Sequence, residues 1–436
     1  MNFKISTCMA RMALLAAFAI LAVRLPSQSS QTRYRIVPLD TLGGLNGSGS
    51  GINDRGWVSG LANQQGDNVS HAALWVAGPQ IIDLGALGGP GTNSAVAWPV
   101  KSNNGTIVGI SDTNDDNPIQ GAFHDYFSCW PFFAPGTPTG KICKGFRWVN
   151  GRMTPLPPFP GGFSSYATAV NNRGEIVGWA ENGVQDSTCD RAFQTLEFRA
   201  VVWEPDGTMK ELPPLPGDST SAATAINDLG QVVGISGACG VAVGDTSAAH
   251  SVLWQNGVPI NIGDLGGHTW NTPTAINNHG TVVGFSLPAG QDGTRNFEAF
   301  LWTPAGGIDR LGKLPGDIRA EALGVNEKNQ VVGLSRGGPF LFRAFLWQNG
   351  VMSDLNSMTV AGSQFLLYAN DINDRGEITG ESFDPNTLAA PAFLGIPVLG
   401  GTEAATGAAI KGSQTAALPD KVRKHLQQRL GPVADD

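Results

Sequence analysis

The sequence predicts an all-β protein: a seven-bladed β-propeller of four-stranded blades, closed by the N-terminal strand. Three observations predict it. A motif returns seven times at a spacing of about fifty residues, the composition favours turns over helices, and the chain opens with an unmatched strand and closes one strand short. The 436 residues include 58 Gly and 28 Pro, with charged residues at only 15%. Such a chain has turn formers in plenty but lacks the Lys, Glu and Arg that cover exposed helices. Hydrophobic residues at 41%, with 11 Trp and 20 Phe, provide a core and exclude wholesale disorder. The formal charge of -8 argues against a nucleic-acid partner, which needs clustered Lys and Arg.

The first repeated motif is Ile/Val-Asn-x-x-Gly-x-x-Val-Gly, at 52–60 (INDRGWVSG), 170–178 (VNNRGEIVG), 226–234 (INDLGQVVG), 276–284 (INNHGTVVG), 325–333 (VNEKNQVVG) and 372–380 (INDRGEITG), with a degenerate copy at 101–109 (KSNNGTIVG). Its turn residue falls at Gly56, Gly105, Gly174, Gly230, Gly280, Asn329 and Gly376, so the period averages about 53 residues. The second motif is a strand ending in Trp, as at 72–75 (AALW), 200–203 (AVVW), 299–302 (AFLW) and 344–347 (AFLW); the seventh copy, 392–395 (AFLG), has lost the Trp. The third is Leu-rich and ends in Gly, as at 39–44 (LDTLGG), 212–217 (LPPLPG) and 311–316 (LGKLPG).

Each unit reads as a meander of four short strands. Small and polar residues alternate at a two-residue period in 219–227 (STSAATAIN), and an Asn-Asp-Leu-Gly turn follows, where Asn227 bonds locally and Gly230 takes positive φ. Two further strands and an outer strand complete the unit. A solenoid coil needs roughly 20 to 30 residues and a four-stranded blade about 40 to 50, so the period selects the propeller. The segment 34–42 precedes the first Leu-rich motif with no Trp strand before it, and the chain closes on AFLG at Gly395 with no clear final strand. The opening segment therefore supplies the outer strand of blade seven and removes two sheet edges.

His71-Ala72-Ala73-Leu74-Trp75 and His250-Ser251-Val252-Leu253-Trp254, with the Leu-rich and Asn-Gly motifs in fixed order, resemble the HAF repeat family of bacterial extracellular repeat proteins. The resemblance covers about residues 34–395. It implies an exported repeat protein and carries no catalytic residues with it.

Lys4 and Arg11 precede an apolar run over 12–23 that Arg24 and Pro26 end. Twelve residues suit a signal-peptide core and fall short of the roughly 18 to 20 that span a bilayer. The expected domains are a signal peptide at 1–29, the propeller at 30–398, and a flexible linker with a short C-terminal helix or tail at 399–436. Secretion, extracellular or periplasmic, is the expected location, with no transmembrane span after cleavage and a monomeric state. Beyond Cys8, an even set remains: Cys129, Cys143, Cys189 and Cys239. Two disulfides are expected, and four cysteines permit three pairings. Cys189 and Cys239 fall in corresponding loops of blades three and four, where an inter-blade bridge fits, and Cys129 and Cys143 both lie in the long insert of blade two, which a bridge between them would clip. No CxxC pair or His cluster accompanies them, so no metal or other cofactor is expected.

The connections at 61–70, 111–144, 180–198, 237–249 and 287–297 gather on one face, where binding usually resides. The blade-two insert contains Tyr126, Trp130 and Phe132, a candidate sugar or protein platform and equally a self-packed miniature core. His268 and Trp270 stand out in the inter-blade loops. Five positions before the repeat Asn, Tyr166, Glu321 and Tyr368 replace small residues and are candidates for ligand contact at the channel mouth, with neutral filling as the alternative. The expected function is a non-catalytic binding module for a glycan or an extracellular protein. The alternative is a glycoside hydrolase or lyase type of enzyme, which needs carboxylates converging on the channel.

Two motifs are discounted. Gly333-Leu334-Ser335-Arg336-Gly337 matches a nucleophile pattern, but Gly-x-Ser also recurs at 109–111, 234–236 and 284–286, and no helix follows it. Asp112, Asn114 and Asp116 imitate the start of a calcium loop that lacks Gly at position six and Glu at position twelve.

Overall fold

The computed structural model describes residues 32–398 apart from 77, 100, 120–138, 192–193, 241–244 and 339–340. The expected signal peptide and C-terminal tail therefore lie outside the described residues, as do Tyr126, Cys129, Trp130 and Phe132. The described residues form seven four-stranded antiparallel sheets, each one blade. Blades one to six run in sequence order, with inner strands Gly43–Ile52, Ser94–Ala95, Ser165–Val170, Thr220–Ile226, Thr272–Ile276 and Arg319–Val325. Blade seven has Phe365–Ile372, Ile378–Phe383 and Ala392–Val398, and its outer strand is Arg33–Pro38 from the start of the ring. That strand pairs in register, Arg35 with Ile396 and Pro38 with Phe393, so the predicted closure is observed. Blade two is complete despite its degenerate motif, its inner strand cut to two residues.

The repeat motif has a physical account at each of its fixed positions. Asn227 Oδ1 accepts from the backbone N–H of Leu229 and Gln231, 3.1 and 3.0 Å away, and its Nδ2 donates to Asn277 O in the next blade at 3.0 Å. One side chain thus shapes the turn and ties two blades. The last Gly of the motif lies beneath a carbonyl of the inner strand: a Cβ on Gly234 would sit 2.0 Å from Ala222 O, and its counterparts in the other six blades meet the same obstruction at 1.9 to 2.2 Å. Blade six puts Asn329 at the turn position with φ 55°, a conformation Asn tolerates better than most residues.

The other two motifs meet each other. The Trp75, Trp203 and Trp254 indoles are buried, and each donates from Nε1 to a carbonyl of the Leu-rich segment leading into its own blade: Asp40 O at 3.1 Å, Pro157 O at 3.0 Å and Pro213 O at 2.7 Å. The Ser of Gly-x-Ser anchors the Leu-rich segment from the other side, accepting from Leu87 N, Leu215 N, Leu265 N and Leu314 N at Ser111, Ser236, Ser286 and Ser335. Ser335 is buried and donates to Asp317 Oδ2 at 2.6 Å, so the apparent nucleophile is a strap for the chain. The residues of the imitation calcium loop lie in the strand Ile107–Asp116, where Asp116 pairs with Lys141 at 2.6 Å.

Candidate functional site

The inner strands run from one end of the ring, where the long connections emerge, to the other, where the Asn turns lie. The turn end is closed by two tiers of bonds between blades. In the first, the residue after each repeat Asn offers its backbone N–H to the side chain of its counterpart in the next blade: Asp54 to Asn103, Asn103 to Asn172, Asn172 to Asp228, Asp228 to Asn278, Asn278 to Glu327, Glu327 to Asp374 and Asp374 to Asp54, at 2.7 to 3.0 Å. In the second tier the repeat Asn reaches the next backbone carbonyl, from Asn53 to Ser102 and onward from Asn171 through Asn373 back to Asn53. The carboxylates here serve the ring, and the residues line an open depression.

The loop end differs from blade to blade. Around blades two to four it is apolar: Tyr166 stacks on Trp179 with ring centroids 4.3 Å apart, among Ile110, Phe198 and Ile235. Above this half, Cys189 and Cys239 form a disulfide between the loops of blades three and four, with Cα atoms 4.5 Å apart. Cys143 is also disulfide-bonded.

Around blades five and six the same end holds three guanidiniums, each resting on a ring. Arg295 lies 5.4 Å over Trp270, Arg319 5.3 Å over Phe297 and Arg336 4.9 Å over Phe342. Arg319 also donates from Nη1 to Arg295 O at 3.3 Å and lies 3.8 Å from Glu321. Arg319 and Arg336 face each other across the ladder of blade six. Burial lowers the Arg336 pKa to about 10, and the like charges of Arg319 and Arg295 push the same way, against Tyr368 and Glu321.

The sequence candidates fall unevenly on this geometry. Tyr166, Glu321 and Tyr368 share the level their spacing predicted, but all three are buried and form walls, with Tyr368 5.4 Å from Phe342. His268 is exposed, its N–H bonded to Asp292 at 2.7 Å, and Trp270 is half-buried with φ 59°. Sequence reasoning missed Arg295, Arg336, Phe297 and Phe342. The signal for Arg336 was present inside the discounted Gly-x-Ser motif, and Phe297 and Phe342 hold the same repeat position, two residues before the Ala of the Trp strand, as Phe198 does in blade three; Arg295 lies in a variable connection.

The His of the His-Ala-Ala-Leu-Trp strand faces a carboxylate. His71 meets Asp83 at 2.8 Å and His250 meets Asp218 at 2.9 Å. In blade six Arg343 takes the place and meets Asp317 at 2.7 Å, and in blade five the polarity reverses, Glu298 meeting Arg310 and Lys313. The position thus takes His, Arg or Glu according to its partner, which is local complementation within the blade and no single chemical group. Burial works to raise the Asp83 pKa, but hydrogen bonds from His71 and Gly85 outweigh it, and the net shift is downward.

No protein-family model matches the chain, and no curated protein matches it. Solved structures do. The β-propeller domain of the trilobed protease from Pyrococcus furiosus, described as having an open velcro topology, is 7% identical over 84% of this chain and 95% of that one, with TM-score 0.44. Virginiamycin B lyase from Staphylococcus aureus is 12% identical over 85% of this chain and all of that one, at TM-score 0.46. At such values the likeness carries no functional argument. The assignment of a propeller rests on this chain's own seven sheets and on the strand that closes them.

Proposed function

We propose that this protein is an exported, non-catalytic binding module of the HAF repeat type, and that its ligand is an acidic carbohydrate held at the loop end of the channel. The observation that carries the reading is the half-buried pair of Arg295 over Trp270, supported by the buried pairs Arg319 over Phe297 and Arg336 over Phe342. An indole such as Trp270 suits the apolar side of a sugar, and a guanidinium such as Arg295 suits a carboxylate through paired N–H donors. The half-buried Trp270 and Arg295 are the part a ligand meets first. The disulfide between Cys189 and Cys239 supports an oxidising compartment, and among the described residues no helix is long and apolar enough to cross a membrane.

The test is a glycan array probed with the full protein, comparing uronic-acid oligosaccharides with neutral ones of equal length. Binding of the acidic set is expected, weakening with salt, and Trp270→Ala with Arg295→Ala should reduce it about tenfold or more. Equal binding of neutral and acidic glycans, or none, would refute the reading. One observation favours the enzymatic alternative: Glu321 and Glu381, buried on adjacent blades, are two carboxyls near the same end of the channel. Glycan cleavage that is lost in both Glu321→Gln and Glu381→Gln would establish it.

A further inference from the structure

Two residues break the repeat, and they meet each other. The position before the repeat Asn holds Ile or Val in six blades (Ile52, Val170, Ile226, Ile276, Val325, Ile372) and Lys101 in blade two. Two residues before the repeat Asn, the well-matched blades hold Gly or Ala (Gly51, Ala169, Ala225, Ala275, Gly324), but blade seven holds Asp371. Lys101 Nζ lies 3.0 Å from Asp371 Oδ1 and donates to Ile372 O at 3.1 Å and to Val325 O. It therefore reaches from blade two to blades six and seven. Asp371 has no exposed surface, and its other oxygen accepts from Ile52 N at 2.9 Å. Gly324 makes room for it: a Cβ there would lie 2.8 Å from both Asp371 Cα and Oδ1.

The oxygens at Val325, Ile372 and Asp371 are three acceptors from two blades, converging on one point at the turn end. An ammonium has three N–H donors and a charge to match. A carboxylate this deeply buried is tolerated only beside a compensating cation, and burial alone raises the Asp371 pKa while Lys101 opposes that. The Lys101 side chain is one-third exposed and lines the depression at the turn end, so the point is reached from solvent along the path the side chain takes.

We infer that the propeller carries a cation site near its axis, built from Asp371, Val325 O and Ile372 O, that the chain fills with its own Lys101 ammonium and that takes a free primary alkylammonium once Lys101 is cut back. The site is independent of the proposed ligand at the other end of the channel. Lys101→Ala removes the four outer atoms of the side chain, and n-propylammonium replaces them atom for atom.

The experiment is thermal unfolding of the full-length Lys101→Ala protein in n-propylammonium chloride, against tetramethylammonium chloride at equal ionic strength. The variant should melt about 5 °C or more below the parent. n-Propylammonium should restore part of the loss saturably, tetramethylammonium should not because it lacks N–H donors, and the parent should respond to neither. A variant as stable as the parent, or one that responds equally to both salts, would overturn the inference. Should Lys101→Ala fail to fold, Lys101→Met with Asp371→Asn removes both charges and is expected to fold and to ignore the alkylammonium. Failure of that pair to fold would overturn the inference too.

Discussion

The side-chain amide of Asn373 in blade seven donates to the backbone carbonyl of Asn53 in blade one at 2.9 Å, across 320 residues of chain. The same bond joins blades three to four, four to five, five to six and six to seven, so the ring is closed at its axis by the device that joins ordinary neighbours. The outer strand Arg33–Pro38 closes it again at the rim.

Asn373→Ala should lower stability by about 2 to 3 kcal/mol, because it removes the bond between blades to Asn53 O, which keeps only Gly56 N as a donor, and leaves the N–H groups of Arg375 and Glu377 without their partner. The converse applies in blade two, where Ser102 stands for the repeat Asn. Ser102→Asn should raise stability by about 1 kcal/mol by supplying the missing link to blade three. Chemical denaturation of both variants checks the pair, and a neutral result for Asn373→Ala would remove the ring from the account of stability.

The disulfide between Cys189 and Cys239 closes a loop with a sequence separation of 50, for which chain entropy predicts about 4 kcal/mol of stabilisation. Replacing both cysteines by Ser should lower the melting temperature without opening the ring, because the seven sheets do not depend on this bridge. Differential scanning calorimetry of the double variant measures it.

Asp112 sets a pH dependence. Burial raises its pKa to about 6, against hydrogen bonds from Asn93 and Thr139 that favour the charged form. A carboxyl that binds its proton more tightly when folded contributes stability below its unfolded pKa of about 4 and loses it as pH rises through about 6. Asp112→Asn should therefore gain up to roughly 3 kcal/mol relative to the parent at pH 8 and little at pH 4. Equal effects at both pH values would show that Asp112 is not the group responsible.

Ser335 accepts from Leu314 N at 3.1 Å and donates to Asp317 at 2.6 Å. Ser335→Ala should cost about 1 to 3 kcal/mol, and a fluorophosphonate probe should fail to label the parent. Labelling at Ser335 would restore the nucleophile reading.

The blade number, the closing strand and the structural role of Gly-x-Ser were legible in the sequence because every blade solves the same local problem with the same residues. Asn shapes the turn, Gly clears the carbonyl above it, and Trp reaches the Leu-rich segment, so a pattern repeated seven times exposes its own logic. The site was less legible. Spacing put Tyr166, Glu321 and Tyr368 at one level, yet whether a side chain at that level meets solvent or a neighbour depends on the adjoining blade, and there they are buried.

What the sequence determined by itself was the ladder within each blade and the order of blades around the ring. Only the tertiary structure decided which exceptions to the repeat belong together. Lys101 and Asp371 each look like decay of a motif when read alone, and they become partners only because ring closure brings blade two within reach of blades six and seven. The guanidiniums on Trp270, Phe297 and Phe342 need no ring closure, since they belong to the consecutive blades five and six: a hydrogen-bonded strand pair is set by neighbours in sequence, and the meeting of Arg319 with Phe297 of the preceding blade is set by the angle between the two sheets.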